Sequence, residues 1–515
     1  MKTAKFGPAV AWAAAALLPA LAPVAGAQAQ MPRFYGVDEF TAPPDPHWAA
    51  VTKADVDAAW RLLEDNHPGA SPAVDDPAFK ARLAAAHAKA LARARSATSY
   101  RGYSATLAEF AGSMGDKHIW SRPTYVVNVP RWAGVIVSRR PGSWVVTDAD
   151  GDNARLLGAT LVACDGRPAD RLAQDNLENF HAVWSIEAQQ AQAAPWLFVD
   201  EGNPFVRRPG DCTFSKDGKE TRVTLEWTRI KRQDLLPRIT KAQGGGQAGF
   251  GVRRVGAGYW ISLQSLLGQA SAVVEEVKAQ GEALRRADFV VLDLRGNGGG
   301  SSGFGDQIAR SLLGDARVDA ASGEGPAGCD TEDGSWRVSD GNIGQLKMLL
   351  DTLGDRNGPE FRRIISALLQ KAAAARAAGR QFTGPVACPA GRPPQAHRTL
   401  PAGLMKGPLI FVTDNACFSS CLVVTRELRA LGAFQVGATT DANTHYLEVR
   451  EEYLPSGYSM FSTLQALDPS APVQLGPFTP ALPYPGDIAD TAALERWVAD
   501  VAEPAAAAAA GKRAG

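Results

Sequence analysis

The sequence predicts a multidomain α/β protein, and three features of the 515-residue chain support that prediction. Helical spacing dominates residues 31–124, short apolar runs separated by turns dominate 125–230, and strands alternate with helices in 258–500. A chain of this length with 45% hydrophobic residues can form two to four domains with ample cores. The formal net charge is zero, so there is no electrostatic argument for nucleic-acid binding.

The start of the chain has the pattern of a secretory signal peptide. Lys2 and Lys5 make the first residues positive, residues 9–24 are rich in Ala and Leu, and small residues at 25–29 offer two cleavage points. We therefore expect export to the periplasm or the medium. No other segment approaches the length needed to cross a bilayer, so we expect no membrane span after cleavage.

Composition and periodicity predict the domain boundaries. The predicted segments are a signal peptide (1–29), an N-terminal helical region (31–124), a β-rich module (125–230), a Gly-rich linker (241–258), an α/β core (258–500) interrupted by a helical insertion (322–402), and a disordered Ala-rich tail (501–515). The insertion would act as a lid over a cleft or form a subdomain of its own.

The most informative motif is a strand that opens into glycines. Residues 289–294 are apolar apart from one Asp, and Gly296, Gly298, Gly299 and Gly300 follow. Glycine leaves backbone N–H groups accessible, and such donors suit a phosphate or the oxyanion of acyl transfer. The spacing matches neither a P-loop nor GxGxxG, which disfavours nucleotide binding. A plain strand-to-helix turn is the remaining alternative.

A second motif places a serine at the start of a helix. Residues 409–412 have the pattern of a strand, 413–416 of a polar turn and 419–431 of a helix. Ser419 would therefore lie beside the unpaired N–H groups and the positive end of the helix dipole. A nucleophilic serine needs that environment, because negative charge develops on the substrate oxygen there. A serine that only caps the helix fits the same pattern.

Together these motifs resemble the tail-specific, or C-terminal-processing, serine peptidases and their tricorn-like relatives. The blocks DLRGNGGG and FSSCL carry most of the resemblance. MGDKHIW (114–120) resembles the family's Gly-Asp-x-His segment, 158–172 the carboxyl half of a PDZ domain, and 479–498 the family's closing segment. The resemblance implies a PDZ-like β module, a catalytic α/β core of the crotonase/ClpP type with a helical insertion, and no metal or organic cofactor.

The resemblance also implies a role for individual residues. Ser419 aligns with the nucleophile and His118 with the base of the tricorn-like branch. The oxyanion donors would be the N–H of Ser420 and that of Gly298 or Gly299. The separation of 301 positions between base and nucleophile is no objection, because catalytic groups converge in space. Imidazole ordinarily titrates near neutral pH and is suited to accept the serine proton.

Three positions depart from the family pattern. Asn443 stands where the C-terminal-processing branch has a Lys base, and Leu422 stands where the same branch has a Glu. Gln474 stands where the tricorn-like branch has a Glu that supports the base. An amide cannot accept a proton at neutral pH, so we do not expect a Ser–Lys dyad.

The sequence therefore leaves more than one candidate for the base and for the group that supports it. Candidates for support of the base are Gln474, Glu448, Glu451, Glu452 and Asp468, and a dyad without a carboxylate is a further alternative. His445 is a rival base, because it would lie in a loop near the site. His67 is expected to be structural.

Cysteine spacing favours disulfides over metal binding in an exported chain. We expect bridges between Cys329 and Cys388 and between Cys164 and Cys212. Cys417 and Cys421 straddle the candidate nucleophile and would either form a bridge or pack as small buried side chains. No spacing typical of a zinc site occurs.

We therefore expect an exported serine endopeptidase that acts on polypeptides, whose oligomeric state the sequence leaves open. The alternative is a catalytically inactive peptide- or ligand-binding protein on the same scaffold, which the three departures would permit. An esterase or amidase is a third hypothesis, disfavoured because the chain lacks a GxSxG motif. The β module could bind an extended peptide by strand addition.

Overall fold

A computed structural model describes residues 43–140, 142–244, 248–322, 334–388 and 400–511. The predicted signal peptide and Cys329 lie outside these ranges. Within them, no helix is both long enough and apolar enough to cross a membrane.

Three packed helices form the first part of the described chain: α1 (His47–Asn66), α2 (Pro77–Ala94) and α3 (Tyr100–Gly112). Side-chain caps define two of their starts. Asp76 accepts the Phe79 N–H at 2.8 Å, and Ser99 accepts the Gly102 N–H at 3.1 Å. The apolar faces of all three helices share one core, as their helical spacing predicts.

Antiparallel sheets dominate the next segment. Its elements are β1 (Ser121–Pro123), β2 (Arg131–Trp132), β3 (Val135–Arg140), β4 (Ser143–Ala149), β5 (Thr160–Cys164), β6 (Arg167–Pro168), α4 (Ala169–Leu177), α5 (Glu187–Ala193), β7 (Val199–Asp200), β8 (Asp211–Lys216), β9 (Lys219–Thr224) and β10 (Thr228–Arg229). Strands β3-β4-β5-β8-β9 form one sheet, with β6 beside β5, and β10-β2-β7 form another. Cys164 and Cys212 lie opposite each other on β5 and β8 and are disulfide-bonded, which confirms that predicted pair.

The rest of the chain alternates strands and helices around a central sheet. Its elements are α6 (Arg232–Ala242), β11 (Phe250–Val255), β12 (Gly258–Leu263), α7 (Ala270–Ala279), α8 (Gly281–Arg286), β13 (Val290–Asp293), α9 (Gly303–Leu313), α10 (Asp315–Ser322), β14 (Ser335–Trp336), α11 (Asp340–Leu353), α12 (Gly358–Ala377), β15 (Leu409–Thr413), α13 (Ser420–Ala430), β16 (Phe434–Gly437), β17 (Asn443–Thr444), β18 (Tyr446–Tyr453), β19 (Ser459–Leu467), β20 (Gln474–Leu475), β21 (Leu482–Pro483) and α14 (Thr491–Gly511).

The central sheet has the order β11-β12-β13-β15-β16-β21 and is parallel from β12 onward. Helices α7, α9 and α13 cover one face and α14 the other, so β13 and β15 are buried throughout. Because the carboxyl ends of parallel strands meet at one edge, the glycine loop after β13 lies beside the turn after β15.

A second, antiparallel sheet connects the two ends of the chain. Its strands run β1-β19-β14, and β18 pairs with β19. Tyr446, Phe461 and Leu464 of this sheet join the core of the N-terminal helices. Trp336 and Ala466 pack with α11 and α12, the described helices of the predicted insertion. The N-terminal region is thus anchored to the C-terminal part of the chain.

Two segments differ from their prediction. Phe250–Val255, inside the predicted Gly-rich linker, is strand β11 and pairs with β12 along its length. The Val and Arg residues of this segment are compatible with a strand. The glycines that precede it led to the prediction of a linker. The Ala-rich tail, predicted to be disordered, continues α14 to Gly511, consistent with the high helix propensity of alanine.

His67 is structural, as predicted, and gives the fold a pH dependence. Its ring is buried and stacks on Phe79 with centroids 4.1 Å apart. Burial lowers the pKa of His67 to about 3, although the Asp116 charge opposes the shift. The folded state therefore keeps His67 neutral at a pH where an unfolded imidazole is protonated.

Because the unfolded state binds more protons between about pH 6.5 and 3, the free energy of unfolding falls as the pH falls through that range. We expect His67 to account for a loss of about 2 kcal/mol between pH 7 and pH 5. In His67→Phe this part of the pH dependence should disappear, as measured by chemical denaturation at both pH values. Equal losses in the two proteins would contradict the assignment.

Candidate active site

Ser419 lies at the N-terminus of α13 in a strained backbone conformation. Its φ is +57° and its ψ is −127°, a region that residues other than glycine rarely adopt. The strain persists because the turn is fixed on both sides. Phe418 N–H donates to Asn297 O at 3.2 Å, and Ser420 Oγ donates to Gly300 O at 2.6 Å. The glycine loop therefore holds the turn that presents the Ser419 hydroxyl.

A disulfide encloses the same turn. Cys417 and Cys421 are bonded to each other, and their Cα atoms are 5.4 Å apart. Both side chains are completely buried in the core beneath the sheet edge. The bridge resolves the two alternatives that the sequence left open for this pair.

The buried carboxyl of Asp414 ties the turn to the glycine loop a second time. It accepts the N–H of Gly296 at 2.9 Å and that of Ala416 at 3.0 Å. Burial raises the pKa of Asp414 to about 6, with the Asp293 charge adding to the rise. The two N–H donors and Arg295 oppose that shift, since they favour the carboxylate.

His118 reaches Ser419 because the segment that follows it is anchored to the C-terminal sheet. Ser121 of β1 pairs with Phe461 of β19. Ser462 Oγ donates to His118 O at 2.7 Å and accepts the Trp120 N–H at 2.7 Å. These contacts place His118 Nε2 3.0 Å from Ser419 Oγ. The two side chains that the sequence places 301 positions apart are therefore within hydrogen-bonding distance.

Asp116, which the sequence did not single out, completes a chain of hydrogen bonds through His118. Its Oδ1 lies 2.8 Å from His118 Nδ1 and also accepts the His118 backbone N–H at 2.9 Å. Its Oδ2 accepts the Thr444 N–H at 3.0 Å and the Thr444 hydroxyl. The signal was available, because Asp116 belongs to the Gly-Asp-Lys-His segment, two positions before His118.

The pKa of Asp116 is lowered below its ordinary range. Burial alone would raise the pKa, since only 4% of the residue is exposed. The charge and hydrogen bonds of His118 and the bonds from Thr444 outweigh burial. Asp116 therefore stays ionised and holds the Nδ1–H tautomer of His118, which leaves Nε2 free to accept a proton.

The candidate oxyanion donors differ in availability. Gly299 N–H donates to Asn297 Oδ1 at 2.9 Å, so one of the two glycine alternatives has its donor engaged. Among the described residues, the N–H groups of Gly298 and Ser420 have no protein acceptor. Gly298 is also exposed. These two donors are therefore available to a substrate oxygen.

The other candidates for base and support lie outside this chain of hydrogen bonds. Within the described part of the protein, His445 bonds neither Ser419 nor His118, and its ring contacts Tyr446 instead. Gln474 is exposed and donates to Gly476 O at 3.1 Å, although its backbone pairs with Thr444. Glu448 lies in β18 with φ at +63°, and the pairing of β18 with β19 keeps the same register on both sides of it. Among the described residues, the side chain that contacts His118 Nδ1 is that of Asp116.

The remaining candidates and the departures from the family pattern have other partners. Glu451 pairs with Arg122, Glu452 pairs with Arg450, and Asp468 accepts from Ser470. Asn443 donates to Thr444 O at 2.7 Å, and Leu422 is buried in the core. None of these contacts reaches Ser419 or His118.

Gly299 is required because the glycine loop approaches Ser419 closely. Its φ is +103°, and a Cβ there would lie 2.7 Å from Ser419 Cβ and 3.0 Å from Ser420 N. We expect Gly299→Ala to displace the turn and lower turnover by at least about 10²-fold, since small displacements of reacting groups have effects of that size. Steady-state rates would measure it.

Gly344→Ala in α11 is a matched control, because a Cβ there meets no atom within 4 Å. That variant should keep the wild-type rate. A wild-type rate in Gly299→Ala would contradict the steric argument.

Comparison with known proteins agrees with the fold. Neither a protein-family model nor a curated protein sequence matches the chain. Mature CPAF is similar over 88% of this chain and 97% of its own, with 14% identity and a TM-score of 0.54. Mature CPAF complexed with lactacystin is similar over 88% and 100%, with 12% identity and a TM-score of 0.54. At this identity the likeness shows the fold alone.

Two further structural neighbours carry names from the family that the motifs resemble. The photosystem II D1 C-terminal processing protease matches over 84% of this chain and 93% of its own, with 12% identity and a TM-score of 0.34. The tricorn protease matches over 89% and 37%, with 11% identity and a TM-score of 0.37. Scores this low support no argument about mechanism. The comparison therefore shows that the chain shares its fold with mature CPAF.

Proposed function

We propose that this chain is a serine peptidase in which Ser419 is the nucleophile, His118 the general base and Asp116 the group that orients the base. The observation that carries the proposal is the continuous chain of contacts, 3.0 Å from Ser419 Oγ to His118 Nε2 and 2.8 Å from His118 Nδ1 to Asp116. Nucleophile, base and orienting carboxylate in this order are the parts of a catalytic triad.

The reaction begins when Ser419 Oγ attacks the carbonyl carbon of a peptide bond. His118 Nε2 takes the hydroxyl proton as the new C–O bond forms. Collapse of the tetrahedral intermediate breaks the C–N bond, and His118 returns the proton to the leaving amine. Water then attacks the acyl-enzyme, with His118 again as base, and releases the acid and free Ser419.

Gly298 and Ser420 are the proposed oxyanion donors. Their N–H groups have no protein acceptor in the described structure, and Ser420 N–H also stands at the positive end of α13. The strained turn fixes these donors before substrate arrives, which is the condition for efficient stabilisation of developing charge. The scheme uses only groups of this chain, the substrate and water.

The proposal also includes a role for the β module and an exported location. The β module would bind an extended segment of the polypeptide substrate by adding it as a strand, as a PDZ-like fold implies. The leader would direct the chain to the periplasm or the medium. The inactive-scaffold alternative rests on Leu422, Asn443 and Gln474, and none of the three belongs to the hydrogen-bonded chain, so the geometry favours an active enzyme.

The test is hydrolysis by the full chain, purified after export. Fluorescently labelled casein and the ester p-nitrophenyl acetate would be offered in parallel, with protein pretreated by a fluorophosphonate as the control. We expect casein cleavage that pretreatment abolishes. Ester turnover without peptide cleavage would favour an esterase. Turnover of neither substrate by a folded chain would contradict the proposal and favour a binding protein.

A further inference from the structure

Lys117 lies between Asp116 and His118 in the sequence. Its ammonium group contacts a buried carboxylate that has no part in the proposed mechanism. Lys117 Nζ donates to Asp441 Oδ2 at 2.8 Å. The Asp441 side chain is completely buried, whereas 37% of the Lys117 side chain is exposed. A carboxylate is costly to bury unless it is paired and hydrogen-bonded, so the partners of Asp441 define what it does.

Asp441 joins three parts of the protein. Its Oδ1 accepts from Gln189 Nε2 at 2.8 Å and from the Ala442 N–H at 2.7 Å. Its own N–H donates to Cys417 O at 3.1 Å, on the turn that carries the proposed nucleophile. Lys117 belongs to the segment that carries the base, and Gln189 belongs to α5 between strands β6 and β7. One residue therefore contacts the base segment, the nucleophile turn and the β module.

The contact from the β module has a defined orientation. Gln189 is 1% exposed, and its Oε1 accepts the Val183 N–H at 2.8 Å. The amide nitrogen must therefore be the atom that faces Asp441. Ile186 and Ala188 pack against Ala442 beside this bond, which excludes water from it. The contact is thus a specific hydrogen bond within a small apolar interface.

Residues 441–444 contact two successive residues of the segment that carries His118, the base segment. Asp441 holds Lys117, and Thr444 holds Asp116. Lys117 Nζ also lies 5.1 Å from the centre of the Phe418 ring, which is 4.5 Å from the His118 ring. The distance between Nε2 and Oγ therefore depends on this stretch and on the Lys117 ammonium.

We propose that Asp441, with Lys117 and Gln189 as its partners, is a positioning residue that keeps the base segment in register with the nucleophile turn. Because Gln189 belongs to the β module, catalysis then depends on how that module is docked. The inference rests on the proposed serine-peptidase function, since it concerns the geometry of the same two catalytic groups.

The test uses variants that remove one partner of Asp441 at a time. We expect Lys117→Met, which keeps the aliphatic stem, to lower kcat by about 10- to 100-fold with little change in KM. Lys117→Arg should restore most of the rate, because it restores the charge. Gln189→Met should also lower kcat, because it removes the contact between Asp441 and the β module. The loss of kcat in the double variant Lys117→Met/Gln189→Met should be smaller than the product of the two single losses.

Fluorophosphonate titration of active sites separates positioning from misfolding. Each rate would be expressed per titrated site, and we expect the fraction of titrated sites to stay at the wild-type level. Lys406→Met is the matched control, because Lys406 Nζ also lies 2.8 Å from a carboxylate, that of Asp288. Lys406 precedes the first residue of β15, so it lies at the opposite end of that strand from Ser419. That variant should keep the wild-type kcat.

Three results would overturn the inference while leaving the proposed function intact. These are wild-type rates per site in Lys117→Met and Gln189→Met, failure of Lys117→Arg to recover activity, and a loss of rate matched by an equal loss of titrated sites. Absence of both labelling and turnover in the wild-type chain would instead contradict the proposed function itself.

Discussion

Replacing Ser419 by alanine is expected to lower kcat for peptide hydrolysis by about 10⁶-fold, the size of effect found when a catalytic serine is removed from a triad. The reason is that, within the described part of the chain, no other hydroxyl hydrogen-bonds His118 Nε2. The neighbouring Ser420 hydroxyl donates to Gly300 O instead. Substrate binding should persist, because the alanine leaves the β module and the proposed oxyanion donors unchanged.

The measurement is the rate of casein cleavage by Ser419→Ala against the wild-type chain at equal folded concentration. Ser271→Ala is a suitable control, since Ser271 also lies in the first turn of a helix and its hydroxyl donates to a backbone oxygen, that of Gly268. It should behave as wild type. Residual cleavage at more than about 1% of the wild-type rate in Ser419→Ala would mean that another group supplies the nucleophile.

The second large effect is expected at Asp116, whose replacement by asparagine should lower kcat by about 10⁴-fold. Both carboxylate oxygens accept hydrogen bonds, Oδ1 from His118 and Oδ2 from Thr444. An amide has a single acceptor oxygen, so its NH₂ group must face one of these donors. If the NH₂ faces His118 Nδ1, that nitrogen becomes an acceptor and Nε2 carries the proton. The imidazole then cannot take the proton of Ser419.

Asp45→Asn provides a control with the same local geometry. Asp45 accepts the backbone N–H of His47, two positions later, at 2.9 Å, as Asp116 does with His118, but on the surface. Its variant should keep the wild-type rate. A rate for Asp116→Asn within tenfold of wild type would show that the carboxylate does not hold the tautomer of the base.

Ser419, the proposed nucleophile, could be singled out from the sequence because it lies in a local pattern. The run of glycines after a buried strand and the serine at the start of a helix are visible without knowledge of distant contacts. His118 could be proposed only through the resemblance, since its approach to Ser419 depends on pairing of β1 with β19, more than 300 residues later. Such pairing leaves no periodic signal in either strand.

The sequence predicted the supporting group in the C-terminal half because the family pattern places a Glu there, whereas the proposed supporting carboxylate is Asp116. Asp116 and Thr444 come together only when residues 441–444 dock on the base segment, and a buried Asp in a short loop has no periodicity to mark its role. Strand β11 was missed for a related reason. The glycines before it indicate a linker, and its pairing with β12 is what stabilises the strand.

The most direct test of the central claim is reaction of the wild-type chain with a fluorophosphonate, followed by peptide mapping. The account predicts one phosphonyl group per chain on Ser419, and little or no labelling in His118→Gln, because an amide cannot take the proton from the attacking hydroxyl. A folded chain that remains unlabelled, or that carries the label on a residue other than Ser419, would contradict it.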